Sequence, residues 1–190
     1  MRSFYGRRKG HGLSSLQQTL LGKHLSSMKI GSFNSAQSYH LEIGFGTGEF
    51  LHHMPITYPD IHFIGCEPFI NGVVSFLQKS TAQNVWLTTE SIHDIIDTIP
   101  NKALDVVYIL CPDPWPKKRH HKRRLIQKTF LEKLITKTKY KIYVVTDHPD
   151  YAATIMALGF QSIDKPDFLI TTKYMEKQKA GVPRCFLYTR

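Results

Sequence analysis

From residue 39 onward, short β-rich apolar runs alternate with helix-like stretches five times, and few folds accommodate that order. LDVVYIL at 104–110 is almost unbroken, the pattern of a strand buried on both faces of a parallel sheet. Further strands are expected at 39–43, 61–66, 84–88, 141–145 and 184–189, with one more at 160–163. Helices are expected at 49–54, stopped near Pro55; at 70–79, with Val73, Val74, Phe76 and Leu77 inward; and at 91–98. Two more follow, one through Ile126, Phe130, Leu134 and Ile135 and one at 151–158. The alternation predicts a doubly wound α/β sheet over residues 36–190. A length of 190 residues, 42% of them hydrophobic, suits one domain with a proper core.

The net charge of +10 is concentrated in two places. Residues 1–41 carry Arg2, Arg7, Arg8, Lys9, Lys23 and Lys29 with no acid, and residues 117–124 carry Lys117, Lys118, Arg119, Lys122, Arg123 and Arg124, again with none. The remainder is close to neutral. Two basic segments on a neutral body are the footprint of a polyanion partner, nucleic acid foremost. Residues 1–35 then read as a basic N-terminal arm; a disordered tail and a transit peptide are the other readings, although the Gly-rich GRRKGHG argues against an amphipathic helix there. No apolar run reaches 18 residues, so no membrane span is expected. Cys66, Cys111 and Cys185 are odd in number and far apart, which suits a reducing cytoplasm rather than a disulfide framework. Ten histidines show no ligand spacing, and no metal is expected.

In doubly wound sheets ligands sit outside the carboxyl ends of the strands, so the loops after strands carry the chemistry. The first, LEIGFGTGEF at 41–50, has G-x-G-x-G spacing at Gly44, Gly46 and Gly48, not the G-x-G-x-x-G of a dinucleotide site. Glu42, two residues before the first glycine, repels a pyrophosphate and attracts a cation; capping of its own loop is the other reading. S-adenosyl-L-methionine, with its ammonium and sulfonium, suits such an acid. Glu67 closes the second strand, where a carboxylate can accept from both ribose hydroxyls. At the third strand end Glu90 or Ser91 could hold the adenine amino group.

After the buried strand comes CPDPWPKKRHHKRR at 111–124. Pro112, Pro114 and Pro116 frame Asp113 rigidly just before the basic run. Trp115 either packs against the body or stacks on a base. Asp147, after KIYVV, offers an N-cap for the helix that follows.

Over nearly its whole length the chain resembles the bacterial tRNA (guanine-N7)-methyltransferases. The pieces that carry the resemblance are RSFYGRR (2–8), LEIGFGTGEF (41–50), GCEPFINGV (65–73), PDPWPKKRHHKRRL (112–125), TDHPDYA (146–152) and TKYMEK (172–177). The resemblance implies a seven-stranded, mostly parallel class I sheet whose last strand is antiparallel, and S-adenosyl-L-methionine as methyl donor. It implies tRNA as partner, with N7 of guanine 46 in the variable loop as acceptor. The sequence does not decide between a monomer and a homodimer. The family's cofactor acids fall on Glu42 and Glu67, and its third cofactor position, usually Asp, on Ser91. Its active-site Asp falls on Asp113, which also borders the cofactor. Its RNA-contacting residues fall on Lys117, Asp147 and the segment Thr172, Lys173, Tyr174 and Met175, where Met175 replaces the usual Glu. The C-terminal loop is one residue short near Gly181.

Guanine N7 is an unprotonated acceptor, so positioning rather than proton removal is the expected task. Asp113 can accept from the guanine N1–H and N2–H2, which adenine lacks. Two rivals remain from the residues: an NAD-dependent oxidoreductase, opposed by the glycine spacing and Glu42, and a non-catalytic RNA-binding module, which needs no paired strand-end acids.

Overall fold

A computed structural model describes residues 5–80, 82–177 and 179–189. The first four residues, including Arg2 of the RSFYGRR piece, lie outside the described residues. Seven strands form one sheet: β1 (Ser38–Ile43), β2 (Ile61–Cys66), β3 (Val85–Thr88), β4 (Leu104–Leu110), β5 (Thr138–Thr146), β6 (Gln161–Ile163) and β7 (Arg184–Thr189). Their order is β3-β2-β1-β4-β5-β7-β6. The first five are parallel, and β7 runs antiparallel to both β5 and β6. This is the mostly parallel seven-stranded sheet with an antiparallel last strand.

Alternation in β4 explains its unbroken apolarity. Val107 and Ile109 face one buried layer and Tyr108 and Leu110 the other, so both faces need apolar side chains. The helices cover those faces: α2 (Glu49–Thr57), α3 (Ile70–Leu77), α4 (Ile92–Ile95, continued by a 3-10 turn to Thr98), α5 (Lys128–Lys137) and α6 (Pro149–Ala157). The chain crosses from the β3 side to the β5 side between β1 and β4, and ligand sites gather at that switch point.

Pro55 does not stop α2, which runs on to Thr57. Pro55 is buried and removes one intrahelical bond only two residues from the helix end, where Tyr58 N–H still closes onto the Met54 carbonyl. A helix, α1 (Ser15–Ser27), lies in the basic arm after the Gly-rich stretch and packs on α3. Its start is a capping box: Gln17 N–H donates to the Ser14 hydroxyl and Ser14 N–H donates to the Gln17 side chain. Beyond α1, Leu87 N–H donates to the Met28 carbonyl, covering the β3 edge. No helix among the described residues is long and apolar enough to cross a membrane.

Candidate active site

At the carboxyl ends of β1, β2, β3 and β4 lies a cavity of about 340 Å³. Its walls include Gly44, Gly46, Glu67, Ser91, Asp113 and Tyr174. The glycine loop turns through three left-handed residues, Gly44, Gly46 and Gly48, at φ 76°, 57° and 79°. A Cβ at Gly44 would meet nothing within 4 Å, so the loop presents open space to the cavity. Gly72 on α3 serves the same loop from behind: a Cβ there would collide with the Gly46 carbonyl. No motif in the sequence marks that close approach.

Glu67 is buried and held by two backbone donors, Gly46 N–H to Oε2 at 2.8 Å and Phe69 N–H to Oε1 at 2.7 Å. Burial pushes its carboxyl above the ordinary range, those two donors pull it back, and Asp113 pushes it up again. Each oxygen keeps a lone pair for a further donor.

Glu42 lies beneath the glycine loop and is 3% exposed, outside the cavity wall. Burial first, then the charges of Glu67 and Glu49, push its carboxyl up to about 8, against a lowering bond from Leu51 N–H at the start of α2. Its Oε2 is buried with no hydrogen-bond partner. An orphaned carboxylate oxygen among like charges fits a ligand that brings positive charge.

At the third strand end Ser91 and Glu90 part. Ser91 is 1% exposed, caps α4 by accepting from His93 N–H at 3.2 Å, and lines the cavity. Glu90 is exposed and absent from the wall, while its carbonyl accepts from the Cys66 thiol at 3.1 Å.

Asp113 stands exposed at the cavity mouth, yet the atoms crowding it push its carboxyl above the usual aspartate value, an effect Lys179 opposes. Trp115 is half-buried in the same wall, with Arg123 5.0 Å over its ring and His120 edge-on at 5.8 Å. The basic run becomes a 3-10 helix, Lys118–Arg123, and leaves Lys117, Lys118, Arg119 and Lys122 exposed.

The C-terminal residues divide. Thr172 is buried and caps α7 (Lys173–Glu176), accepting from Met175 N–H at 3.4 Å; Met175 is 4% exposed in the core. Both side chains therefore face inward, because this short helix needs an anchor to the body. Lys173 reaches Glu49 at 3.7 Å, and Tyr174 lies across the glycine loop on the cavity wall. Asp147 does not cap α6; its carboxylate accepts from Ala180 N–H at 3.1 Å, and Thr146 Oγ1 takes the His148 N–H instead. Its bond holds the loop that carries Lys179.

Sequence reasoning missed the arm's part in this site. Tyr5, Gly6 and Arg7 line the cavity, and the stretch behind them is fixed by Ile70 N–H to the Arg8 carbonyl and by Asn71 to Gly10 and His11. Among the described residues no group of three or more His, Cys, Asp and Glu is poised for a metal.

Sheet order and cavity position define a class I methyltransferase fold. A solved precorrin-6y C5,15-methyltransferase from Geobacter metallireducens superposes with TM-score 0.56 at 12% identity, over 98% of this chain and 93% of that one. A methyltransferase structure from Archaeoglobus fulgidus gives 0.51 at 16%, over 92% and 93%. At such identities the likeness shows the fold alone. The family described as "Putative methyltransferase" matches residues 36–183. The chain is 37% identical to the tRNA (guanine-N(7)-)-methyltransferase of Paracoccus denitrificans (strain Pd 1222), over 79% of this chain and 74% of that one. It is 31% identical to the protein of that name from Cereibacter sphaeroides, over 100% and 91%. The chain belongs to the tRNA (guanine-N7)-methyltransferase family.

Proposed function

We propose that this chain transfers the methyl group of S-adenosyl-L-methionine to N7 of guanine 46 in the tRNA variable loop, as a monomer or homodimer in the cytoplasm. The observation that carries the reading is one cavity with acid-bearing ends of β1 and β2 around its glycine loop and Asp113 at its mouth. The donor supplies a methyl carbon on a sulfonium, and its departure leaves a neutral thioether. Glu67 accepts from the ribose hydroxyls, Gly44 and Gly46 leave room for the amino-acid end, and Ser91 borders the adenine. Glu42, which holds a proton in the free protein, adds a negative charge below the loop once the cationic donor draws that proton off.

The guanine N7 lone pair needs no base to free it. Asp113 accepts from N1–H and N2–H2, which orients N7 and rejects adenine. Its negative charge also favours the positive charge that grows on the ring as the N–C bond forms. Exposed Lys117, with Lys118, Arg119 and Lys122, holds the tRNA backbone. Asp147 and the segment Thr172, Lys173, Tyr174 and Met175 shape the acceptor side, Asp147 through the 180 loop and Tyr174 directly.

Incubating the pure protein with unmodified tRNA and methyl-labelled donor, then identifying the labelled nucleoside, tests this. 7-Methylguanosine from the variable loop is expected. Label in another base, or none, overturns the reading.

A further inference from the structure

The loop that carries Asp113 is bent in an unusual way. Cys111 and Trp115, two residues to either side of Asp113, both adopt left-handed backbone, at φ 52° and 43°. Residues other than glycine seldom do so, a bulky one such as Trp115 least of all, and the ring of Pro116 further restricts the Trp115 backbone. Three prolines restrict this loop but cannot by themselves hold it in two disfavoured conformations; such geometry persists where surrounding structure over-determines it. On one side, Cys111 N–H donates to the Val145 carbonyl on β5 at 2.8 Å. On the other side the constraint comes from Arg124.

Arg124 ends the basic run, yet its side chain is 1% exposed. Nε donates to the Pro114 carbonyl, the group directly before Trp115, at 2.8 Å. One terminal nitrogen donates to Thr154 Oγ1 at 3.1 Å; the other reaches Asp150 on α6 and His121 Nε2, the latter at 3.1 Å. The guanidinium lies 4.7 Å over the Tyr151 ring, and the Tyr151 hydroxyl accepts from Ile126 N–H at 3.0 Å. A planar fork with donors in several directions can tie one carbonyl to a distant helix at once, and an ammonium cannot.

We infer that Arg124 is a positioning residue for Asp113: it pins the Pro114 carbonyl to α6, so that the carboxylate between the two pins stays where the acceptor base must lie. Arg124 touches neither substrate nor cofactor. This rests on the function proposed above, because it assigns Asp113 the acceptor-binding task. It separates Arg124 from its neighbour Arg123, which lines the cavity, and from the exposed lysines.

The test compares Arg124→Lys and Asp150→Asn with the unaltered protein, reading kcat, KM for tRNA, cofactor affinity, melting temperature and, in a Trp86→Phe background, the emission of Trp115. Arg124→Lys should lower kcat about 10²-fold, the scale of an ångström-sized misplacement, while KM and cofactor affinity move less than about threefold. Trp115 emission should shift in the same variant. Asp150→Asn, which leaves Arg124 in place with one partner weakened, should show a smaller kcat loss of the same kind. If Arg124→Lys does not fold, the kcat loss in Asp150→Asn at unchanged cofactor affinity supports the inference, and an unaltered kcat there overturns it. Unchanged kcat and Trp115 emission in a folded Arg124→Lys overturn it. So does a fall of kcat accompanied by a rise of KM and a loss of cofactor affinity in proportion to lost stability. If the unaltered protein methylates no guanine in tRNA, the functional reading fails, and the Trp115 emission still reports whether Arg124 sets the loop.

Discussion

The floor of the cavity and its rim use charge in opposite ways. Glu67 on the floor is buried and fixed by two backbone donors, and Glu42 is buried beneath the floor, outside the cavity wall. Lys117, Lys118, Arg119 and Lys122 on the rim are exposed, on or just before a short 3-10 helix that buries none of its residues. Burial makes the floor selective: charges in a poorly solvated place interact strongly and with direction. Exposure makes the rim general: solvated cations attract any phosphate chain, weakly at each phosphate and with strong dependence on salt. The floor suits one small cation, the rim a large polyanion, and Asp113 stands where the two meet.

The contrast breaks first at Asp113. Asp113→Ala should lower kcat by roughly 10²–10³-fold, as loss of one preorganised charge-stabilising group does, with little change in cofactor affinity. Steady-state kinetics with titrated donor checks both halves. On the floor, Glu67→Ala removes an acceptor of charge-assisted strength and should weaken cofactor binding about 10–100-fold while leaving tRNA affinity intact, as calorimetry can show.

A subtler floor effect is pH. Because burial and neighbouring acids raise Glu42 to about 8, the free protein holds a proton there at neutral pH. A cation bound nearby favours the ionised form, so binding releases a proton and affinity should rise with pH until about 8. The same shift has a stability sign. A raised carboxyl stabilises the fold fully below the ordinary glutamate range, and that contribution fades as pH climbs through 8. Glu42→Gln should flatten both profiles, as binding and thermal melts across pH can test; an unchanged binding profile would leave Glu42 without a cationic partner.

The smallest expected effect lies at the rim. Replacing Lys117, Lys118 and Lys122 with Gln should reduce the salt slope of tRNA binding by roughly 0.7–0.9 for each phosphate no longer neutralised and leave cofactor affinity unchanged. Arg124 does not belong in that set, since its side chain is buried against α6.

Much of this was legible in the chain. The ends of β1, β2 and β4 could be read from β-rich runs broken at Gly44, at Glu67 and at Pro112, two residues past Leu110, and the acids at 42 and 67 from their place at the ends of such runs. What escaped depends on partners distant in sequence. Arg124 looks like one more cation in KKRHHKRR, and only Asp150 and Thr154, on a helix far along the chain, reveal it as an internal tie. Asp147 looks like a helix cap, but Ala180, 33 residues later, takes its carboxylate. Met175 sits in a segment read as RNA-facing, and its burial follows from how α7 docks, which no local pattern encodes. The α1 helix was within reach: Ser14 and Gln17 have capping-box spacing, overshadowed by the Gly-rich residues before them.

The central claim is that one cavity presents a nucleoside cation to a base held by Asp113. A crystal structure with S-adenosylhomocysteine bound tests it most directly. The account predicts ribose hydroxyls on Glu67, the amino-acid end at Gly44 and Gly46, adenine beside Ser91, and sulfur turned toward Asp113. Density for the nucleoside away from Glu67 and the glycine loop would contradict it.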